Sequence, residues 1–275
     1  MTEPVASALQ VLWPPGRAGE VLRDDPFDSA LRDLYAYPSP PPTAPPPPGD
    51  HGIPPPRWVR ANMVATLDGA ATGSDGRTGS INSVADRRVF GVLRGLADVV
   101  LAGAGTVRSE GYGLPRVRPE LVAARASEGQ WPSPALAVVT RSGNVPDTLL
   151  DGDTPAFVIT VESAGASVLD HLRSRAGTDH VIIAGADDVD LSVALEALQN
   201  KGFRRVLCEG GPSLLADLVA AGELDDLCLT STPVLTGGQA PRILDGPAVD
   251  QAFSLRHLLH SDGTLIARWV NKNSR

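Results

Sequence analysis

The chain has 275 residues, of which 42% are hydrophobic, so it can bury a sizeable core and wholesale disorder is excluded. Its formal net charge of −8 has the wrong sign for coating a phosphate backbone, which sets nucleic acid aside as a partner. Cys208 and Cys228 stand in apolar runs and the histidines are scattered, so neither a disulfide framework nor a metal site is expected. The sequence contains no basic leader and no apolar run of about 18 residues, which predicts a cytoplasmic protein without a membrane partner.

Proline divides the sequence into two unequal parts. Eleven of the 25 prolines lie within residues 38–56, which predicts an extended linker there. Residues 1–37 are predicted to form an N-terminal arm with one short helix, over residues 27–36, that docks on the main body. A ligand for an SH3-type domain is the alternative for the proline tract, but a spacer is favoured because no basic residue flanks it.

Residues 57–275 alternate short β-branched runs with helical stretches, which predicts an α/β domain with a largely parallel central sheet flanked by helices. Strands are predicted over residues 58–66, 98–103, 135–140, 156–161, 180–185, 204–210, 224–233 and 264–270. Helices are predicted to begin after Ser83 and Asp190, which are capping residue types, and at Pro212.

Two glycine-containing turns follow predicted strands. Gly210 and Gly211 stand between a buried strand and the helix that begins at Pro212. Such a junction presents free N–H groups and the positive end of the helix dipole, so a phosphate or pyrophosphate would fit there. The second turn, residues 103–107, has the sequence Gly-Ala-Gly-Thr-Val and lacks the third glycine of the dinucleotide fingerprint. Either turn alone could be a plain connection, but two in one sheet favour a dinucleotide ligand.

Polar side chains follow two further strands. Thr66 and Asp68 come directly after the first predicted strand, where an Asp-Gly pair is most often a simple turn. Thr140, Arg141 and Ser142 follow the strand over residues 135–140 and offer a guanidinium and two hydroxyls. These are the donors that a ribose 2′-phosphate needs, so the turn favours NADPH over NADH.

The chain resembles the reductase domain of riboflavin biosynthesis over roughly residues 57–270. The resemblance is carried by the segments VRANMVATLDGAATGSDGRTGSINSVADRRVFGVLRGLADVVLAGAGTVRSEGYGLP and VLCEGGPSLLADLVAAGELDDLCLTSTPVLTGG. It implies a dihydrofolate-reductase-like fold, a homodimer and hydride transfer from NADPH to the ribosyl C1′ of 5-amino-6-(ribosylamino)uracil 5′-phosphate. Reduction of dihydrofolate or another pterin, and a catalytically idle NADP(H)-binding regulator, remain alternatives.

The resemblance also implies which residues form the site. Together with the residues predicted above from the glycine turns and from the turn at Thr140 and Arg141, the predicted cofactor residues are Val64, Thr66, Ser80, Thr106, Glu110, Thr140, Arg141, Ser142, Gly210, Gly211, Pro212, Ser213, Leu214 and Leu215. The substrate residues would be Thr78, Arg94, Leu114 and Glu209. Arg94 would clamp the ribose phosphate, and Asp68 would be the ionisable group nearest to the reacting centre.

Two features depart from the family pattern. Many members have Trp-Ile-Thr where this chain has Ser80-Ile81-Asn82, and Asp where it has Glu110, so the pocket beside the nicotinamide is expected to differ in shape. The first 56 residues contain no zinc-ligand pattern of the deaminase half. A stand-alone reductase is therefore expected.

Overall fold

The computed structural model describes residues 8–38 and 56–274. The strands of this part of the chain are β1 (Leu9–Trp13), β2 (Val21–Leu22), β3 (Trp58–Ala65), β4 (Val99–Gly103), β5 (Ala135–Val139), β6 (Phe157–Thr160), β7 (Val181–Ile183), β8 (Arg205–Cys208), β9 (Asp226–Ser231), β10 (Phe253–Ser261) and β11 (Thr264–Asn271). The helices are α1 (Ser29–Tyr35), α2 (Val84–Leu96), α3 (Ala104–Ser109), α4 (Pro119–Ser127), α5 (Ala166–Ala176), α6 (Leu191–Asn200) and α7 (Pro212–Ala220).

The strands form one sheet in the order β2-β1-β10-β11-β9-β3-β8-β4-β5-β6-β7. The seven strands from β9 to β7 in this order are mutually parallel, and the other four pair antiparallel. Strand β4 shows why the parallel part forms, because Val99, Val100, Leu101 and Ala102 are each at most 1% exposed and are therefore covered on both faces. The predicted α/β class with a largely parallel sheet is confirmed.

Helices cover the parallel part of the sheet on both faces. On one face, α2 joins the arm in a core cluster that includes Leu31 and Val92. On the other face, α6 and α7 bury a second cluster that includes Leu195 and Leu218. The local signals agree with this packing, because Ser83 Oγ accepts the N–H of Asp86 at 3.0 Å and starts α2.

Several elements were not predicted from the sequence. Strands β1 and β2 lie within the arm, where only a helix was expected, and β10 and helices α3, α4 and α5 were also missed. Strand β1 pairs with β10, so residues 8–38 extend the same sheet as the main body. The linker predicted over residues 38–56 lies almost wholly outside the described residues, and the predicted domain boundaries stay predictions.

Both cysteines are buried thiols, as expected from their apolar neighbours. Burial raises the pKa of Cys208 and of Cys228 to about 12, so both remain protonated at neutral pH. Among the described helices, none is both long enough and apolar enough to cross a membrane.

Candidate active site

A cavity of about 190 Å³ opens at the carboxyl ends of β3, β4 and β8, where ligands of parallel sheets generally bind. Its walls come from β3, from one face of α2, from α3 and from the residues that follow β8. The lining residues are Asn62, Met63, Val64, Ala71, Thr72, Gly76, Thr78, Asn82, Asp86, Arg87, Phe90, Thr106, Ser109, Glu110, Tyr112, Glu209, Gly211, Pro212 and Pro241.

A second depression, the groove, runs along the ends of β4 and β5 past the start of α7 and has a volume of about 1340 Å³. Four residues line both the groove and the cavity, namely Thr106, Ser109, Gly211 and Pro212. The two spaces therefore meet at these residues. A long ligand lying in the groove can place one end beside a second ligand in the cavity.

Gly211 lies where the groove meets the cavity and is the N-cap residue of α7, and no side chain caps this helix. Its φ is −73°, which lies outside the left-handed region that favours glycine. A Cβ atom at this position would lie 2.6 Å from Thr106 Oγ1. The absence of a side chain therefore keeps the gap between α3 and α7 open and leaves the first amides of α7 accessible to an anion.

Glu209 and Arg94 form a two-point ion pair at the wall of the cavity. The Arg94 Nε and Nη2 atoms donate to Glu209 Oε1 and Oε2, each at 2.7 Å. The Tyr112 hydroxyl donates to Glu209 Oε2 at 2.9 Å, and burial raises the pKa of that phenol. The Arg94 guanidinium also lies over the Phe90 ring at 4.3 Å. Two of the three guanidinium nitrogens of Arg94 thus already donate to Glu209. In its predicted role as a phosphate clamp, Arg94 would bind the phosphate through Nη1.

Asp68 lies outside both the cavity and the groove. Its carboxylate accepts the Thr66 hydroxyl at 2.5 Å and the N–H groups of Thr236 and Gly237 at 3.2 and 2.7 Å. The bond from Thr66, followed by those from the two amides, lowers the pKa of Asp68 to about 2. A carboxylate that stays ionised cannot donate a proton at neutral pH. The catalytic role of Asp68 stays a prediction, and these contacts favour a role in fixing the adjacent turn.

The groove carries charges of both signs. Arg141 lines it and pairs with Asp188 at 3.1 Å, and the two side chains are 75% and 81% exposed. Such an exposed pair is weak and can exchange for another partner. Arg108 is the other cation in the groove, and its Nη1 donates to the Asn144 carbonyl at 2.7 Å.

The structure brings most of the predicted site residues together. Those lining the cavity are Val64, Thr78, Thr106, Glu110, Glu209, Gly211 and Pro212. Those lining the groove are Thr106, Thr140, Arg141, Ser142, Gly211, Pro212, Ser213 and Leu214. The ones that line neither space are Thr66, Asp68, Ser80, Arg94, Leu114, Gly210 and Leu215. The binding roles of all these residues stay predictions.

Two of the predicted residues that line neither space have other contacts. The Ser80 hydroxyl donates to Asp75 Oδ1 at 2.8 Å, within an exposed loop. Leu114 is partly buried and packs against the core cluster on the α2 side. Their contacts are those of structural residues.

The sequence analysis missed one wall of the cavity. Asp86 and Phe90 line it, and Arg94 follows on the same face of α2 at intervals of four residues. That spacing is the signal that could have identified the first two, because Arg94 was already predicted to be a site residue. Asn82, just before α2, and Tyr112 also line the cavity and were not predicted.

Comparisons with known proteins define the family. The sequence model of the RibD C-terminal domain matches residues 57–266, so the chain belongs to this family and the resemblance is confirmed. A 2,5-diamino-6-ribosylamino-4(3H)-pyrimidinone 5′-phosphate reductase from Archaeoglobus fulgidus is 29% identical, over 69% of this chain and 86% of the relative. The protein of the same name from Methanothermobacter thermautotrophicus is 30% identical, over 70% of this chain and 86% of the relative.

Solved structures show the same fold. A pyrimidine reductase-like protein from Corynebacterium diphtheriae superposes with a TM-score of 0.72 at 24% identity, covering 79% of this chain and 93% of that one. RibD from Acinetobacter baumannii superposes with a TM-score of 0.61 at 20% identity, covering 79% of this chain and 58% of that one. At these identities the likeness concerns the fold alone.

Proposed function

We propose that this protein is an NADPH-dependent reductase of riboflavin biosynthesis that converts the ribosyl group of a 5-amino-6-ribosylaminopyrimidine 5′-phosphate to ribityl. The observation that carries the proposal is the junction at Gly211, where a groove with an uncapped helix N-terminus opens into a cavity lined by Glu209, which Arg94 holds from behind. The names of the family relatives support the same reaction class.

Glycines in the groove lack side chains, so a dinucleotide could approach the backbone closely there. A side chain on Gly211 would fill the gap beside Thr106, and Gly105, which also lines the groove, has no atom within 4 Å of its own Cβ position. The first amides of α7 would hold the pyrophosphate, and Arg141 would exchange Asp188 for a 2′-phosphate. When bound, NADPH supplies a hydride to C1′, and the oxygen released from C1′ takes up a proton.

The residues of the cavity would bind and orient the second reactant. Met63, Val64 and Phe90 offer apolar contacts to a planar ring. The Arg94 guanidinium is held by two carboxylate oxygens, so its remaining nitrogen has a fixed direction. Such fixed groups favour reaction because less orientational freedom remains to be lost.

The test is oxidation of NADPH with the aminopyrimidine phosphate and with dihydrofolate, side by side. We expect turnover of the pyrimidine and little turnover of dihydrofolate. Turnover of dihydrofolate alone would replace the proposal with the pterin alternative, and tight NADPH binding with neither reduction would favour the idle regulator. Arg141→Ala should weaken NADPH binding by roughly ten- to a hundredfold and leave NADH binding nearly unchanged.

A homodimer is part of the proposal. One face of the antiparallel strands carries a row of cross-strand partners formed by Trp13, Leu258, Ala267 and Leu229, with Leu265 two positions from Ala267. Trp13 is 42% exposed and Leu265 is 39% exposed. Ala267 in this row is only 8% exposed, so the exposed apolar area lies at Trp13 and Leu265, and a second copy of the chain would cover it. Sedimentation should therefore show a dimer that Leu265→Glu dissociates, whereas Val193→Glu, on the exposed side of α6, should leave it intact.

A further inference from the structure

Tyr112 is a partly buried hydrogen-bond donor at the wall of the cavity. Its ring packs against the core cluster on the α2 side, and its hydroxyl donates to Glu209 Oε2 at 2.9 Å. Burial, reinforced by the charge of Glu209, raises the pKa of the phenol, so the hydroxyl keeps its proton at neutral pH. Tyr112 is therefore a permanent donor to the Glu209 carboxylate.

The hydrogen bonds to Glu209 leave its two carboxylate oxygens unequal. Oε2 accepts from Tyr112 and from Arg94 Nη2, whereas Oε1 accepts only from Arg94 Nε within the part of the chain that the structure describes. A carboxylate oxygen can accept about two hydrogen bonds, so Oε2 is fully used and Oε1 has room for one further donor. The other carboxylates that line the cavity, Asp86 and Glu110, each accept a single hydrogen bond from the described residues. Glu209 is thus the carboxylate of the cavity that is held by the most donors.

The main chain at Glu209 is held without any contribution from Tyr112. The Glu209 N–H donates to Leu101 O at 3.0 Å, and the Gly103 N–H donates to Gly210 O at 2.9 Å, so strand β4 fixes the backbone here. The Tyr112 hydroxyl therefore acts on the Glu209 side chain and not on the path of the chain towards α7. Removal of this hydroxyl should leave the groove unchanged.

Resting on the proposed function, we infer that Tyr112 is a positioning residue, which holds Glu209 so that Oε1 accepts a hydrogen bond from the second reactant in the cavity. This role does not require the hydroxyl to touch either reactant. A carboxylate that is fixed in advance loses less freedom when the reactant binds, so its hydrogen bond contributes more to affinity. Without the hydroxyl, both oxygens would have room for a further donor and the distinction between them would be lost.

The experiment compares Tyr112→Phe with the matched control Tyr37→Phe. Both tyrosines are partly buried and pack against the same core cluster. The Tyr37 hydroxyl donates to Val206 O at 3.3 Å, and Tyr37 lines neither the cavity nor the groove. Each variant keeps the ring and removes one hydroxyl, so the pair separates loss of a buried hydrogen bond from loss of the bond to Glu209.

We expect Tyr112→Phe to raise the KM for the aminopyrimidine phosphate roughly tenfold and to keep kcat within about threefold. The Kd for NADPH should stay unchanged, because the groove does not depend on this hydroxyl. Calorimetric titration of the enzyme saturated with NADP⁺ would measure the loss of affinity for the pyrimidine without turnover. Tyr37→Phe should change none of these values.

A double-mutant cycle with Glu209→Gln tests whether Tyr112 acts through Glu209. Glu209→Gln replaces one carboxylate oxygen by an amide nitrogen and should itself raise KM at least tenfold. In that background Tyr112→Phe should change KM by less than about twofold, because the carboxylate that the hydroxyl positions is gone. A tyrosine that only fills space would contribute the same factor in both backgrounds.

Each outcome is decisive for proteins that are folded at the assay temperature, as judged by Tm. An unchanged KM in Tyr112→Phe, a parallel loss in Tyr37→Phe, an equal loss of NADPH affinity or additive changes in the cycle would overturn the inference while the proposed function stands. A Tyr112→Phe protein that does not fold would show that the hydroxyl is structural and would overturn the inference as well. Failure of the wild type to reduce the pyrimidine would overturn the proposed function and the inference together.

Discussion

The buried position of Asp86 at the cavity lowers the free energy of unfolding at neutral pH. Burial raises its pKa in the folded protein, so the folded state holds the proton more tightly than the unfolded chain does. The free energy of unfolding is therefore highest while Asp86 is protonated in both states. It falls as the pH rises from the ordinary value of 3.8 through the raised one, and it stays lower at neutral pH.

Asp86→Asn is accordingly expected to raise Tm near neutral pH, because the variant removes the charge and keeps an acceptor for the Thr230 hydroxyl. Thermal unfolding of both proteins at neutral pH and near pH 3.8 would measure the difference. The gain should shrink towards the lower pH, where the wild-type carboxyl is protonated as well. A variant less stable than wild type at neutral pH would contradict this account. Glu110 and Glu209 also line the cavity and change protonation with pH. They are present in both proteins, so their contribution cancels in the difference in Tm.

Gly211 is expected to be needed for NADPH binding because a side chain at this position would block the start of α7. We expect Gly211→Val to abolish NADPH binding, since its Cβ alone would lie 2.6 Å from Thr106 Oγ1 and its methyl groups would cover the start of α7. The φ of −73° imposes no left-handed strain on valine, and the variant is compared with wild type only where its Tm shows that it is folded. Calorimetry with NADPH, after a check of Tm, is the measurement. Wild-type affinity in a normally folded variant would refute the groove as the cofactor site.

At the scale of elements, periodic and capped segments could be predicted from the sequence. Strand β4 is apolar throughout, and Asp190 accepts the N–H groups of Ser192 and Val193 at the start of α6, where a capping residue was expected. Strand β10 was missed because His257 interrupts its apolar pattern, although this histidine is buried. Helix α3 has only six residues and looks like a turn in the sequence.

The candidate site was predictable to the extent that its signals are local. The glycine turns and the family motifs predicted Gly211 and Thr106, and the polar residues that follow the predicted strand over residues 135–140 predicted Arg141. The pairing of Arg94 with Glu209 joins residues 115 positions apart and leaves no local trace in one sequence. For Asp86 the spacing from Arg94 on α2 was a local signal, but which face of α2 meets the cavity is decided by packing of the whole core.

Helix α4 holds the end of α2 through one side chain. Arg125 is 1% exposed and pairs with no carboxylate of residues 8–38 or 56–274. Its Nη1 donates to the carbonyls of Gly95 and Ala97 at 3.0 and 2.7 Å, and its Nε donates to Trp131 O at 2.8 Å. These carbonyls belong to the C-terminus of α2 and to the loop after α4, so Arg125 caps the helix that carries Asp86 and Arg94. Burial lowers the pKa of Arg125 to about 10.

We expect Arg125→Met to lower the free energy of unfolding by about 3 kcal/mol, because it leaves buried carbonyls without donors. For a domain of this size the corresponding fall in Tm is roughly 6–12 °C. Differential scanning calorimetry would show it. Arg173→Met on α5, whose side chain is 40% exposed and only loosely paired with Asp170, serves as control and should change Tm little. An Arg125→Met protein that melts like wild type would show that the cap is dispensable.

At the scale of the whole molecule, the arm is a part of the fold. The buried Asp28 carboxylate accepts hydrogen bonds from the guanidinium groups of Arg88 on α2 and Arg118 in the loop before α4. Two buried arginines of the sheet reach the arm as well, since Arg60 donates to Tyr35 O at 2.6 Å and Arg268 donates to Leu34 O at 2.8 Å. The same two guanidinium groups bind the Asp226 carboxylate, which is fully buried between them.

A chain that begins at Arg57 should therefore fail to fold, rather than merely lose an appendage. The truncation removes five large apolar side chains that are each at most 1% exposed: Leu9, Val11, Leu22, Leu31 and Tyr35. Their burial contributes roughly 8–15 kcal/mol at about 1.5–3 kcal/mol each, which is as large as the whole stability of a typical domain. The truncation also exposes the edge of β10 and leaves Arg60 and Arg268 without their backbone acceptors. Circular dichroism and solubility would test the truncated chain, and a truncated protein with the wild-type Tm would contradict the expectation.

A milder variant separates stability from chemistry. None of the arm residues from 8 to 38 lines the cavity or the groove, so the arm should act on catalysis only by keeping α2 in place. Asp28→Ala removes the buried carboxylate that Arg88 and Arg118 share. The Arg88 guanidinium, which is 9% exposed, then has Asp24 at 3.7 Å as its charged partner, so Tm should fall by several degrees. At a temperature where the variant is fully folded, its NADPH affinity and kcat should match those of wild type. A fall in kcat with unchanged NADPH affinity, in a protein shown to be folded, would instead mean that the arm fixes the position of Asp86 and Arg94 on α2.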